Sequence, residues 1–262
     1  MGPRVSVIMT VHNGLPFVEA AVDSVLGQDF EDFELVVVDD GSTDGTAGVL
    51  AARTDPRLRL VRAPHRGRAA ALNAALGLAR GRYVANLDAD DLALPGRLAL
   101  PARFLDEHPE VAAVGSAVQP YVGAGGGRGP RRLPASDRAI RWAFLLRNPM
   151  FHSSVTFRSG ALAEAGGYDP TPGLVDDADL LLRLGRRHRL ANLAVALAVK
   201  RLHPAQHFAG SDRRRRLVRH AAYRWRAARE LPFPILLRPG AYVVGVAGAA
   251  GSLTRALVAR SR

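Results

Sequence analysis

The chain has 262 residues, a formal net charge of +12 carried mostly by arginine, and no cysteine. That length suits one large α/β domain or a domain with an extension, and 48% hydrophobic content suits a globular core. The missing cysteine excludes disulfides, thiolate zinc sites and cysteine nucleophiles and fits a reducing cytosol, while the positive charge favours nucleotides, phospholipid surfaces or nucleic acid as partners.

The opening MGPRVSVIMTV has no long apolar core after its basic start, so it does not read as a signal peptide. Residues 5–11 are rich in β-branched side chains and predict a buried strand, broken by His12-Asn13-Gly14. Val18, Val22, Val25 and Leu26 recur at helical spacing to about Gln28, with Pro16 suited to the first turn. Residues 33–39 (FELVVVD) are almost wholly apolar, as in a parallel strand covered on both faces. The turn and cap residues DDGSTDG follow, then a helix to about Arg53. A strand at 58–61, a helix at 67–79 ended by Gly81 and a strand opening at Tyr83 complete an alternating pattern. That pattern implies right-handed crossovers and a doubly wound, mostly parallel sheet. Further on, the sequence predicts a helix at 95–107, a strand at 111–118 and a Gly/Arg/Pro-rich loop at 123–134. It also predicts a helix at 140–146, a strand at 153–157, a helix at 176–187 and a strand at 193–199. Beyond His207 the composition changes to a dense arginine run and then a Gly-rich apolar stretch. No stretch reaches the ~20 apolar residues of a membrane span.

The chemistry gathers at strand ends, where ligands bind in such sheets. The run YVANLDADD stops a strand in three carboxylates. If strand geometry persisted, Asp88 and Asp90 would point the same way. Two carboxylates aimed together need a cation between them, and a hard divalent ion such as Mg²⁺ or Mn²⁺ is the natural one. Thr10, Asp39 and Asp40 fall at neighbouring strand ends. An isolated DAD tripeptide is more often a solvated acidic turn; the other strand-end carboxylates reverse that expectation here.

Taken together, VSVIMTVHNG, FELVVVDDGSTDGT, LDADD, NPMFHSSVTFR, GGYDP, VDDADLLLRL and RLHPAQ resemble an inverting family 2 glycosyltransferase with the GT-A fold, over roughly residues 4–208. The resemblance implies a catalytic domain at 1–210, with a nucleotide-sugar half at 1–120 and an acceptor half at 121–210, and a basic, helical extension at 211–262. It implies transfer of a sugar from a nucleotide diphosphate sugar to an acceptor hydroxyl of a saccharide or lipid-linked molecule, in cell-envelope, polysaccharide or glycolipid synthesis. Carried over by motif, Thr10 and Asp40 lie around the base and ribose with Asp39 helping. Asp88 lies near ribose and metal, and Asp90 binds the metal. Asp177 is the base by its place in the motif, beside Asp176, which is equally read as a helix cap. His203 is a metal or diphosphate residue or a loop histidine, Arg201 a diphosphate contact or a solvated arginine, and His152 an acceptor-pocket residue or a structural one. Asn13 and Asn73 read as loop-stabilising residues. Asp179 with Arg183 reads as a surface i,i+4 ion pair.

Three departures stand out. Asp176-Asp177 replaces a Glu-Asp pair, Leu72 replaces an arginine before Asn73, and the QxxRW motif of processive members is absent, which favours one-at-a-time addition. Of the rivals, a nucleotidyltransferase would need a Gly-rich phosphate loop where His12-Asn13-Gly14 stands. Nucleic acid is disfavoured by the acidic strand ends, which repel phosphates. An inactive domain is disfavoured because every expected carboxylate is present. The arginine run with its interleaved apolar residues is expected to lie on an anionic membrane surface or to pack on the domain as a solvated helix. The first alternative implies a cytoplasmic protein, peripheral at the inner face of the plasma membrane.

Overall fold

A computed structural model describes residues 2–121, 129–170, 176–203, 213–233 and 238–258. Outside the described residues lie 123–128 of the expected loop, 204–206 of the RLHPAQ motif, and the side chains of Asp176 and of the arginines at 213–216. The first half follows the predicted alternation. Strands β1 (Val5–Val11), β2 (Phe33–Asp40), β3 (Leu58–Ala63) and β4 (Tyr83–Asn86) are linked by helices α1 (Val18–Leu26), α2 (Thr46–Ala51) and α3 (Arg68–Leu78). The second half holds β5 (Leu92–Ala93), α4 (Ala99–Glu107), β6 (Val111–Tyr121), α5 (Asp137–Phe144), β7 (Thr156–Arg158), α6 (Ser159–Glu164), α7 (Asp176–Gly185) and β8 (Arg189–Arg201). Two helices close the chain, α8 (Arg213–Glu230) and α9 (Arg238–Val258).

All eight strands form one sheet in the order β3-β2-β1-β4-β7-β6-β8-β5. The β3-β2-β1-β4 half is parallel, β7 runs antiparallel to both β4 and β6, β8 is parallel to β6, and β5 is antiparallel to β8. The sheet is therefore mixed beyond β4. The chain winds from β1 to β2 and β3, then returns to the other side of β1 for β4, which makes β1/β4 the switch point where a crevice opens.

Alternation along the central strands explains why they read as unbroken apolar runs. Val5, Val7, Met9 and Val11 of β1 face α1, α2 and α4, while Ile8 faces the opposite layer; Leu35 and Val37 of β2 divide from Val36 and Val38 in the same way. The opposite layer holds α3, α5, α6, α7 and the inner sides of α8 and α9.

Three expectations need correction. Residues 153–157 are not one strand: His152–Ser154 is a 3₁₀ turn, and only Thr156–Arg158 pairs. The cause is Arg97, a fully buried guanidinium that takes the Ser153 and Val155 carbonyls at 3.0–3.3 Å. Arg97 also donates to the Asn86 carbonyl and the Thr156 hydroxyl at 2.8 Å. The helix expected from residue 95 begins at Ala99, because Gly96 stands at φ +78°, outside the right-handed helical region. Third, the Asp179–Arg183 pair forms but is buried, not on the surface: Asp179 is 3% exposed and also accepts from Arg226 of α8 at 2.6 Å.

Burial pulls the Arg97 guanidinium down to about 9, still protonated at neutral pH, and its proton donors fasten the end of β4 to the 3₁₀ turn. Arg97→Met removes a donor from each of those buried acceptors, of which the Val155 carbonyl keeps the Asn86 amide, and should lower unfolding free energy by roughly 2–4 kcal/mol in urea titration. A loss below ~0.5 kcal/mol would show that Arg97 is not what joins the two elements.

Candidate active site

β4 ends at Asn86, so the carboxylates that follow are set by a turn and not by strand alternation. The Asp91 amide bonds the Asp88 carbonyl at 3.0 Å, and the turn brings oxygens of Asp88, Asp90 and Asp91 within 4.8 Å of one another. β5 follows at once and pairs with Ala198 and Val199 of β8, which carries Lys200, Arg201 and His203 alongside the turn. Lys200 Nζ stands 3.1 Å from Asp91, 3.9 Å from Asp88 and 4.0 Å from Asp90. Burial opposes charge on Lys200, yet the three carboxylates raise its pKa. His203 Nε2 lies 3.1 Å from Asp90.

The three carboxylates differ in setting. Asp91 is fully buried and accepts from Lys200, the Ser153 hydroxyl and the Arg201 amide. Its burial, opposed by Lys200 and reinforced by Asp88 and Asp90, pushes its carboxyl up to about 7. Burial works against ionised Asp88 as well, but Arg68, His152 and Lys200 hold it well below the usual carboxylate range. Arg68 reaches Asp88 at 3.0 Å from the first turn of α3. It sits one turn before Leu72, the buried position where the family resemblance expects an arginine, so the same helix face supplies a guanidinium from a different residue.

His152 is buried beneath this group. Its Nδ1 accepts from Arg68 and Asn86, both at 2.8 Å, which places its proton on Nε2, 2.7 Å from the Tyr168 hydroxyl. Tyr168 is fixed in turn by Asn73, which bonds its amide and carbonyl at 2.8 and 2.7 Å. Gly167 precedes it at φ +67°, where a Cβ would stand 2.7 Å from the Asn73 carboxamide oxygen. Asn73 thus braces a loop, as expected. Asn13 does likewise, accepting from the Thr43 amide at 2.8 Å.

A cavity of about 660 Å³ opens at the β1/β4 crevice, lined by Thr10, His12, Phe17, Asp40, His65, Gly67, Arg68, Asp88, Asp90, Lys200 and His203 among others. Asp40 lines it with both carboxylate oxygens already accepting, from the Arg66 and Gly67 amides at 2.8 and 2.9 Å. Asp39 does not line it: its carboxylate turns back to the Ser42 amide at 2.9 Å. The His12 and His65 rings face each other with centroids 4.1 Å apart and frame the entrance beside Asp40. Arg201 lies behind the wall, stacked over Phe17 and bonded to the Phe17 carbonyl at 3.2 Å.

A second cavity, about 350 Å³, is lined by Arg68, Asp88, Arg131, Arg147, Asn148, Phe151, His152, Asp177 and Lys200 among others. Both cavities share Arg68, Asp88 and Lys200, so they meet at the acidic turn. Asp177, at the start of α7, accepts from Asn148 at 2.7 Å. α7 is held by Arg183, which bonds the Ala165 and Gly167 carbonyls, and by the Asp179–Arg226 bond to α8. Tyr223 of α8 is buried nearby; burial, with the charges of Asp177 and Asp179, raises its hydroxyl pKa far above the usual value.

The turn fits a divalent cation. Asp88 and Asp90 offer hard oxygens, and His203 offers an imidazole beside Asp90 with a buried Nδ1 that has no partner among the described residues. Of the residues named from sequence, the structure gathers Thr10, Asp40, Asp88, Asp90, His152, Asp177 and His203 around the joined cavities and leaves Asp39 and Arg201 outside their lining. Sequence reasoning missed Arg68, Lys200 and Tyr168. Lys200 was open to detection as a lone lysine beside the RLH segment of a chain otherwise rich in arginine.

Known proteins resemble this chain in sequence and fold. EpsE of Bacillus subtilis is 34% identical over 188 residues, 70% of this chain and 66% of EpsE. The amylovoran biosynthesis glycosyltransferase AmsE of Erwinia amylovora is 33% identical over 74% of this chain and 71% of its own length. The chain thus spans about two thirds of these relatives. A mannosyltransferase of Pyrobaculum calidifontis, solved with GDP-Man and Mn²⁺, superposes with a TM-score of 0.69 at 27% identity over 98% of this chain and 76% of that one. S. aureus TarS, solved with UDP-GlcNAc, superposes with a TM-score of 0.75 at 19% identity over 95% of this chain and 73% of that one, a likeness of fold. The family model described as glycosyl transferase family 2 matches residues 6–163, and with the mixed GT-A sheet around the acidic turn this chain belongs to that family.

Proposed function

We propose that the protein transfers a sugar, with inversion, from a nucleotide diphosphate sugar in the larger cavity to an acceptor hydroxyl in the smaller one. The observation that carries this is the junction of the two cavities at Asp88, with Asp90 and His203 on one side and Asp177 on the other. The nucleotide lies by Thr10, Asp40 and the His12/His65 pair. Asp88, Asp90 and His203 would hold Mg²⁺ or Mn²⁺, which would supply Lewis-acid neutralisation of the leaving diphosphate. Lys200 and Arg68 add fixed positive charge at the same place. Asp177, oriented by Asn148, takes the proton of the attacking hydroxyl, and His152, set by Tyr168, orients Arg68, which holds Asp88 in place. The relative named for amylovoran biosynthesis supports an envelope or polysaccharide product, and the absent QxxRW motif supports single additions.

We also propose that the α8–α9 pair rests on an anionic membrane surface, as a cytoplasmic protein at the inner face would. No helix among the described residues is long and apolar enough to cross a membrane. Trp225 and Tyr242 touch at 5.3 Å between centroids, and both are exposed with Val243 and Val246, an apolar patch beside the arginine run.

Asp90→Asn exchanges a charged ligand for a neutral amide and should abolish transfer while weakening Mn²⁺-dependent nucleoside diphosphate binding by calorimetry, an effect that EDTA reproduces in the wild type. Unchanged turnover in this variant would refute the metal assignment. Asp177→Asn should leave donor affinity intact and cut the chemical step ~10²–10⁴-fold, read by single-turnover kinetics. Equal loss of donor affinity would move Asp177 to the donor site, and a product with retained anomeric configuration would exclude single displacement. For the membrane, full-length protein should co-sediment with anionic liposomes and much less with neutral ones, and salt should weaken binding. Trp225→Ser with Val243→Ser should reduce it while the fold persists; indifference to anionic liposomes at low salt would end that proposal.

A further inference from the structure

The smaller cavity carries more positive charge than a neutral acceptor requires. Four cationic side chains, Arg68, Arg131, Arg147 and Lys200, line it against two carboxylates, Asp88 and Asp177. Arg68 is paired with Asp88 and Lys200 with Asp91. Arg131 and Arg147 are both exposed, and among the described residues neither has a carboxylate partner. Most of the arginines packed around the site do have one: Arg141 with Asp137, Arg183 and Arg226 with Asp179.

Arg131 is also held in place. Its backbone bonds Val118 of β6 in both directions, at 2.8 and 3.3 Å, and its guanidinium lies over the Phe151 ring at 5.1 Å. A guanidinium stacked on an aromatic face keeps its edge donors free and loses less entropy when it meets an oxyanion. Arg147 adjoins Asn148, the residue that orients Asp177.

We propose that these two arginines form an anion subsite for the acceptor, which carries a phosphate or carboxylate close to the hydroxyl that is glycosylated. This rests on the transferase reading above. An anionic acceptor approaching Asp88 and Asp177 would be repelled unless cations on the same wall compensated, and Arg131 and Arg147, whose guanidinium groups can each donate two bonds to a phosphate or carboxylate, supply that compensation. A neutral saccharide gains little from either guanidinium. Two sources share this chemistry: the phosphate of a lipid carrier and the carboxylate of a uronic acid.

The test uses the full chain saturated with Mn²⁺ and whichever of UDP or GDP binds more tightly. Geranyl monophosphate, methyl glucuronide and methyl glucoside are then titrated, with binding read by saturation-transfer NMR. At least one anion should bind about tenfold more tightly than the glucoside, with affinity falling as salt rises. The anion that wins identifies lipid phosphate or uronate. Arg131→Gln with Arg147→Gln should erase the preference without altering nucleoside diphosphate affinity or the thermal midpoint. Glucoside binding as tightly as both anions, no binding of either anion, or a preference that survives the double substitution overturns the proposal. So does a parallel loss of nucleoside diphosphate affinity, which would assign the arginines to the donor. Wild-type protein that binds neither UDP nor GDP sinks the transferase reading and the subsite with it, whereas nucleotide binding without an anion preference sinks the subsite alone.

Discussion

Three carboxylates in one turn are the constraint around which the structure is arranged. Two unit charges near 4 Å apart repel by on the order of 4 kcal/mol at an effective dielectric of ~20, so Asp88, Asp90 and Asp91 cannot share a turn without counter-charge. The fold brings that charge from distant parts of the chain: Arg68 from α3 and Lys200 from the end of β8. Pairing β5 with β8 is what carries Lys200 there, so a two-residue strand at the sheet edge has a direct electrostatic role. The compensation is uneven. Asp91 is saturated by protein donors, whereas Asp90 has His203 as its near neighbour and faces the larger cavity. That difference makes Asp91 part of the framework and leaves Asp90 open to the larger cavity.

The parallel half of the sheet was legible because its signals are local. Unbroken apolar runs at β1 and β2 report burial on both faces, and the carboxylates that end β2 and follow β4 point to the crevice. What could not be read was set by distant partners. Arg97 sits in a segment that scans as an ordinary helix start, and nothing beside it in sequence announces that four backbone and hydroxyl acceptors await it. The 3₁₀ turn at His152–Ser154 follows from Arg97 and was invisible for the same reason. Asp179 and Arg183 have the spacing of a surface pair, but burial depends on α8 covering them from 47 residues away. Asp40 and Asp39 show a subtler limit: adjacent carboxylates of one motif, the second read as a helper of the first, part company, one lining the cavity and the other closing its own turn.

The closing helices combine two surfaces. On the inner side, Tyr223, Ala227, Leu231 and Phe233 join the same apolar cluster as Phe144 and Leu184. Glycines let α9 come close: a Cβ on Gly245 would stand 2.5 Å from that of Ala228, and one on Gly248 would stand 2.9 Å from the Leu145 carbonyl. The Gly-rich composition of this stretch is thus a packing requirement and not merely a weak apolar run. On the outer side stand Trp225, Tyr242 and Val243.

The bond between Arg226 and Asp179 lies within one turn of Asp177 on the same helix. Whatever touches the outer side of α8 therefore has a mechanical path, through one half-buried guanidinium, to the wall on which Asp177 is mounted. In evolutionary terms α8 and α9 are not an interchangeable handle: a chimera that exchanged them for a relative's would alter the wall of the smaller cavity along with the outer surface.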